Sequence, residues 1–429
     1  MRTVGNHLSR LPRSVCDTVP MLDYVGRLDV TRVTLRNYGS IASCDIQLGP
    51  LTFLVGPNGA GKSTILDVMQ FVGEALDPRK GVSSALAVRG GIDSLRYRWA
   101  PEGAAVEIGI QVSFSRGSAQ LHFGLVADRA HSYRVSAERL LVKVEGHGVG
   151  EYSYSVADGR VQEVAGIGEK MLTPGREPDP QELLAPEVLP AISEQTELVA
   201  DALSMIRAVN PVPDAMRVPR EETADQPLSV DAGNAATVLR ALQSRNSEGF
   251  QKVEEYLRAI TPSIGRIDIA GLGSWALLTF LVGSSAHGSD TIIEARSMSD
   301  GTLHALGSLI ALFDTGARAD HPHYVPTVGL EEPESALHPA AVGVLMDAIR
   351  DAADDRQVVV TSHSPDLLDI PVVEAEEILA VRWVEGRTVV DRLDEAGLLA
   401  LRDQLFSPGQ LMRSDQLQPR GGPWNWRSA

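Results

Sequence analysis

Cysteine is scarce in this chain: there are two, Cys16 and Cys44, in 429 residues. They are too few for a disulfide framework and have no metal-ligand spacing, so a reducing, cytoplasmic setting is expected. Long apolar runs are also missing. No stretch reaches the about 18 apolar residues of a membrane span, so no membrane association is expected. The longest run, Trp275–Val282, gives way to glycine and serine and suits a buried strand. The first residues carry arginines without an apolar core, which excludes a secretory signal, and residues 1–26 are expected to be a disordered N-terminal extension. Positive charge is in deficit, with 39 Lys and Arg against 56 Asp and Glu, a formal net charge of −17. Such a balance repels a polyanion at long range and disfavours tight unaided nucleic-acid binding. The chain has no DxD metal pair, Cys–His cluster or GxSxG elbow.

What is present is 43% hydrophobic and 22% charged, the composition of a soluble globular protein. Leu28–Leu35 and Ile41–Leu48 alternate apolar and polar residues about a turn at Asn37–Ser40, as a hairpin does. LTFLV at 51–55 is continuously apolar, as a buried strand is, and runs into GPNGAGKST at 56–64, after which a helix is expected over 61–76. Short alternating runs from about 95 to 155 read as an antiparallel meander. Pro-rich segments near 174–190 and 211–227 bracket a helix expected over 193–209, and two more helices are expected over 235–245 and 249–260. Beyond a pair of strands the chain alternates helix 301–313, strand 325–330, helix 339–353, strand 357–361 and helix 365–369, then two closing strands near 377–393. This alternation predicts a core sheet covered by helices.

In GPNGAGKST, the glycines Gly56, Gly59 and Gly61 let the backbone of Gly56, Pro57, Asn58, Gly59, Ala60 and Gly61 curl so that N–H groups face phosphate oxygens. The helix that follows offers its positive end, beginning with Lys62, Ser63 and Thr64. Lys62 is expected on the β- and γ-phosphates and the Ser63 hydroxyl on Mg2+, which makes ATP and Mg2+ the expected ligands. GLEEPESALHP at 329–339 ends an apolar run with two acids: Glu331 is placed to hold Mg2+ through water and Glu332 to orient or deprotonate the attacking water. VVVTSHSP at 358–365 carries His363 out of a buried strand, where it can sense the γ-phosphate. SMSDGT at 297–302 caps a helix with Ser299, Asp300 and Gly301, and a capped helix start is also an anion site. Because the phosphate loop already holds the γ-phosphate from one side, this turn is expected to reach the γ-phosphate held by another copy of the chain.

The ordered set GPNGAGKST, SMSDGT, GLEEPESALHP and TSHSP resembles that of RecF/SMC-like ABC-type ATPases, including compact prokaryotic "AAA family" ATPases without a long coiled coil. The likeness covers about 27–80 and 290–395, and LSVDAGNAATVLRAL at 228–242 resembles that group's middle lobe. It implies an α/β fold, a P-loop ABC-type ATPase head with an antiparallel β lobe and an inserted helical lobe. The expected division is 27–94 for the first part of the head, 95–260 for the meander and helical lobe, 261–395 for the second part, and 396–429 for a C-terminal helix and tail. Carried over, Lys62 and Ser63 bind ATP–Mg2+, Ser299 and Gly301 form the signature, Glu332 is catalytic, Ser335–His338 is the dimer-facing loop and His363 is the switch. The resemblance further implies a homodimer, or a higher oligomer, around two ATP molecules. It also implies an effector partner such as a nuclease encoded nearby, in DNA repair or antiviral defence, with nucleic acid as a further component that the charge does not indicate. Glu331 stands where the family pattern has Asp. No glutamine marks the Mg2+-sensing loop, for which the Arg89-Gly90-Gly91 turn is the nearest candidate. A motor of a membrane transporter is the competing reading, disfavoured by MSDGT and SALHP in place of LSGGQ and SALD; a nucleotide-gated binding module with little turnover is another.

Overall fold

The computed structural model describes residues 27–420 except 130–131, 146–149, 169–171, 222–225, 285–288, 315–324 and 371–372, so the 1–26 extension and the end of the tail lie outside the described residues. Strand β1 (Asp29–Tyr38) turns at Asn37 and Gly39, both with positive φ, and pairs antiparallel with β2 (Ile41–Gln47). Strand β3 (Leu51–Val55) is buried at every position, as its apolar run requires. The meander is β4 (Val106–Phe114), β5 (Gly117–Asp128), β6 (Ser132–Val144), β7 (Gly150–Ala157) and β8 (Arg160–Ala165). It does not stand apart from the first hairpin, because β1 pairs with β4, giving a seven-stranded antiparallel sheet β2-β1-β4-β5-β6-β7-β8 among the described residues.

Strand β9 (Arg207–Val209) leaves that lobe for the core sheet, while β10 (Arg220–Glu221), β11 (Ile264–Leu272), β12 (Trp275–Ser284) and β13 (Ser289–Glu294) form a small antiparallel sheet. This small sheet packs on the helices Ala235–Arg245 and Ser247–Ile260. The core sheet is completed by β14 (Thr327–Glu331), β15 (Gln357–Ser362), β16 (Ile378–Val384) and β17 (Arg387–Arg392). Its order is β17-β16-β3-β15-β14-β9, parallel throughout except for β17. Both faces are covered. Leu54 and Val359 face a core shared with the helix Lys62–Leu76 and the seven-stranded sheet. Phe53, Val358 and Val360 face a second core filled from 235–257, from the helix Asp300–Phe313 and from the helix Pro339–Asp355. The fold is α/β, a P-loop head with an antiparallel β lobe on one face of the core sheet and a helical lobe on the other.

Three local expectations differ from what forms. The helix expected over 193–209 ends at Ser204, and Arg207–Val209 becomes a strand instead. Asn210-Pro211 follows, the residue before proline is pushed out of the helical region, and parallel pairing with β14 satisfies the backbone. The Pro-rich stretch at 174–190 contains the start of a helix, Ala185–Ile192, with Pro186 in its first turn where a missing N–H costs nothing. Strand β12 is buried over only part of its length: Ala276, Leu278, Thr279 and Phe280 are buried while Trp275 is 46% exposed. The buried partners of β12 come from 235–257, and no layer in the described residues covers its other face at Trp275.

The core sheet admits no side chain where β3 meets β16. A Cβ at Gly56 would lie 2.0 Å from the Val381 carbonyl oxygen. Gly56→Ala is expected to cost about 1–3 kcal/mol by forcing the two backbones apart. Urea unfolding of the variant should show the lowered midpoint.

Candidate active site

Parallel strands in register end together. Strand β3 runs out at Gly56, β15 at Ser362 and His363, β14 at Glu331 and Glu332, and β9 at Asn210. The phosphate loop turns on Gly59 and Gly61, with φ of 76° and 101°, and a Cβ at Gly59 would meet nothing within 4 Å, so the loop's crest is open. Gly61 is tightly held instead, since a Cβ there would lie 2.1 Å from Thr388 Oγ1 and 2.7 Å from Ser40 Oγ. Thr388 donates to the Ala60 carbonyl at 2.8 Å and lies 2.7 Å from Ser40 Oγ, which is 3.0 Å from Thr64 Oγ1. The hairpin turn and β17 thereby grip the loop from its far side.

Lys62 is 5% exposed, and its ammonium donates to the carbonyls of Gly56 at 2.9 Å and Pro57 at 3.2 Å. Burial lowers its pKa, opposed by Glu332, Glu334 and Glu331. Ser63 Oγ donates to Glu331 Oε1, and Asn210 Nδ2 donates to Glu331 Oε2 at 3.1 Å. Glu332 adopts left-handed φ of 44°, with its N–H on the Thr361 carbonyl at 3.0 Å. This turn aims its carboxylate back across the sheet edge, 3.7 Å from Lys62 Nζ and 3.1 Å from His363 Nδ1. Lys62, Ser63, Glu331, Glu332 and His363 are therefore brought together at one sheet edge.

Mg2+ commonly takes one or two carboxylates and leaves its other positions to water and substrate phosphates. The open loop crest and the Ser63–Glu331 pair fit that demand, and among the described residues no group of three or more His, Cys, Asp or Glu side chains forms a separate metal site.

The 297–302 turn lies elsewhere. Ser299 caps the helix Asp300–Phe313, accepting from Thr302 N–H at 3.2 Å, and Asp300 pairs with Arg217 at 2.5 Å. A Cβ at Gly301 would lie 2.3 Å from the carbonyl oxygen of Ala336, itself at φ of 61°, so the turn packs on the 335–338 loop of its own chain. His338 in that loop caps the next helix, accepting from Ala340 N–H at 3.2 Å. Among the described residues, the side-chain hydrogen bonds and ion pairs of Ser299 and Asp300 run to Thr302 and Arg217, not to the phosphate loop. Arg89 turns inward onto Asp67 at 2.7 Å and Glu74 at 2.6 Å and lies over Phe71, an ion-pair role against the helix Lys62–Leu76.

Several neighbours are not evident from the motifs. Asn210 ends β9 as Glu331 ends β14, a polar residue closing a short apolar run. Its N–H donates to the Val230 carbonyl at 2.7 Å, so the 228–242 segment supports Glu331 from behind. Glu334 is buried with Oε1 accepting from Ser362 Oγ at 2.5 Å, and burial raises its pKa. His304, in the helix Asp300–Phe313, is buried and bonded to the Pro333 carbonyl; burial lowers its pKa, opposed by that bond and by Glu332.

The AAA_21 family, described as "AAA domain, putative AbiEii toxin, Type IV TA system", matches residues 51–369. Over 41 residues the chain is 49% identical to the OLD nuclease of Thermus scotoductus, covering 10% of this chain and 8% of that protein. It is 29% identical over 69 residues to the DNA replication and repair protein RecF of Aliivibrio fischeri, covering 16% and 19%. It is 38% identical over 58 residues to RecF of Roseiflexus castenholzii, covering 13% and 15%. These matches therefore span less than a fifth of the length of the relatives. Among solved structures, an SMC head bound to the C-terminal winged-helix domain of ScpA shares 12% identity over 86% of this chain and 99% of that one, with a TM-score of 0.46. The SMC head of Thermotoga maritima shares 12% identity over 85% and 99%, with a TM-score of 0.37.

Burial raises the folded-state pKa of Glu334, so its ionisation opposes folding as pH rises through that range. Glu334→Gln keeps an acceptor for Ser362 and removes the charge. The variant is expected to be more stable than the parent at mildly alkaline pH, with the gain vanishing below the ordinary carboxylate range. Denaturant unfolding across a pH series reads the difference.

Proposed function

The chain belongs to the AAA_21 family and is a P-loop ATPase of the RecF/SMC-like type, and from that premise we propose that it binds and hydrolyses ATP at the edge of its core sheet. The observation that carries this reading is the meeting of Lys62, Ser63, Glu331, Glu332 and His363 at adjoining strand ends. The loop N–H groups and Lys62 hold the phosphates, and Ser63 with Glu331 holds Mg2+, which neutralises charge on the phosphate oxygens. Glu332 takes a proton from water as the water oxygen bonds to the γ-phosphorus and the bond to the β-phosphate oxygen breaks, yielding ADP and phosphate. Lys62 and His363 flank the Glu332 carboxylate on two sides. Ser299, Asp300 and Gly301 engage the γ-phosphate of a second copy, so that two nucleotides are enclosed in a dimer.

Hydrolysis by such a head does its work through different surfaces offered in open and closed states, which calls for a protein that reads them. We assign that role to an effector such as a nuclease, in DNA repair or prokaryotic defence, in keeping with the short matches to RecF and an OLD nuclease. No helix among the described residues is long and apolar enough to cross a membrane. One feature favours slow turnover: each oxygen of Glu331 already accepts a hydrogen bond, from Ser63 and from Asn210, and a metal has to share or displace these contacts. In that second reading the chain is a nucleotide-gated binding module.

Lys62→Ala is expected to abolish ATP binding, and Glu332→Gln to keep binding while lowering kcat by about 10²- to 10⁴-fold. Phosphate release by the pure chain separates the two readings, and a Glu332→Gln variant with parental turnover would remove the base assignment. In the Glu332→Gln background ATP should produce a dimer on size-exclusion chromatography. Adding Ser299→Arg should return it to monomer with ATP still bound; dimers that persist would refute the shared site.

A further inference from the structure

The turn that follows β14 carries two carboxylates toward one target. Glu332 lies 3.1 Å from His363 Nδ1, and two residues later Glu334 is buried against Ser362, the residue immediately before that histidine. The Ser335 N–H donates to the Glu332 carbonyl at 2.9 Å and the Leu337 N–H to the Glu334 carbonyl at 3.1 Å, so the turn's own hydrogen bonds set the spacing of the two acids. Hydrolysis with Glu332 as the base uses the first carboxylate and leaves the second without a task. Burying that second carboxylate is costly unless it is bonded.

Ser362 is wholly buried and held on three sides. It pairs with Val55 at the end of the β3–β15 ladder, its carbonyl accepts from Gly56 N–H at 3.4 Å, and its Oγ accepts from Ser364 N–H at 3.0 Å. A serine hydroxyl has one proton to give, and here it goes to Glu334 Oε1 at 2.5 Å. A charge-assisted bond of this kind is roughly twice as strong as a neutral one. His363 has far less to hold it, since its side chain is 41% exposed and an ion contact open to water gives little fixity. The ring's place is therefore set by the backbone on which it rides, and that backbone is pinned at 362 and 364 through one hydroxyl whose proton Glu334 accepts.

We propose that Glu334 is a positioning residue for His363: through Ser362 Oγ it fixes the 362–364 backbone so that the imidazole meets the Glu332 carboxylate. The inference rests on the reading of Glu332 and His363 as parts of an ATP-hydrolysing site. One turn thereby supplies both the base and the support of the base's neighbour.

Glu334→Met keeps the length of the side chain and removes the acceptor, Ser362→Ala removes the bridge, and Glu334→Gln keeps the acceptor without the charge. In the full chain the first two are expected to lower kcat for phosphate release about tenfold while KM for Mg–ATP stays within about twofold, and Glu334→Gln to restore most of the loss. In a His363→Ala background the same two changes should cost less than about twofold more, since the group they position is gone. A second readout needs no turnover. In the nucleotide-free chain the His363 ring resonance is the one that His363→Ala removes from the histidine NMR spectrum. It should move in Glu334→Met and Ser362→Ala toward its position in Glu332→Ala, and hold its place in Glu334→Gln. Parental kcat with an unmoved ring resonance in both variants overturns the proposal, and so does an equal loss of kcat in the His363→Ala background, which would place the effect elsewhere in the fold. Loss of ATP binding in either variant overturns it as well, because the strand edge itself has then given way. A parent chain that releases no phosphate refutes the hydrolytic reading instead; the ring resonance then judges the contact alone, and its failure to move overturns the proposal.

Discussion

The parallel register of β9, β14, β15 and β3 is the constraint on which the rest depends. Because Val328 sits beside Val358 and Val358 beside Leu51, the polar residues that close each strand emerge at one level. Residues about 300 positions apart, such as Lys62 and His363, thereby converge. The requirement runs the other way too: a one-residue slip would turn Phe53 and Leu54 to the wrong cores and scatter the carboxylates. Continuous apolar strands, covered on both faces, hold this register firmly.

Beyond the strand ends the backbone departs from regular structure in ways that only close packing sustains. Glu332 at φ of 44° and Ala336 at 61° are non-glycine residues in the left-handed region, each costing of order 1 kcal/mol or more. The Thr361 carbonyl fixes the first, and contact with Gly301 fixes the second. His304 adds a bond from the helix Asp300–Phe313 to Pro333. The 297–302 turn and the loop bearing Glu332 are consequently packed against each other.

Electrostatics sharpen this arrangement. A chain of net charge −17 concentrates Glu331, Glu332 and Glu334 around one buried lysine. Such a cluster is balanced for a ligand that brings a divalent cation with its phosphates, and poorly suited to bare phosphate. Cations elsewhere serve the framework: Arg89 neutralises Asp67 and Glu74 on the helix Lys62–Leu76, and Arg217 anchors Asp300.

Local chemistry was readable from the chain alone wherever it is short in range. The glycines of 56–61, the apolar runs at 51–55 and 358–360, and the alternation of 106–157 each dictate their own conformation, since period, turn residues and capping act over a few positions. The tertiary structure alone decided the pairing. That the first hairpin joins the meander, that Arg207–Val209 leaves a helix to edge the core sheet, and that Asn210 meets Glu331 depend on backbone groups finding partners far along the chain. The same holds for Glu334 and Ser362, which as letters are two unrelated polar residues and meet only because β14 and β15 end side by side. Propensity is a property of neighbours in sequence, whereas a site is made by neighbours in space, which burial and hydrogen-bond satisfaction of the whole chain select.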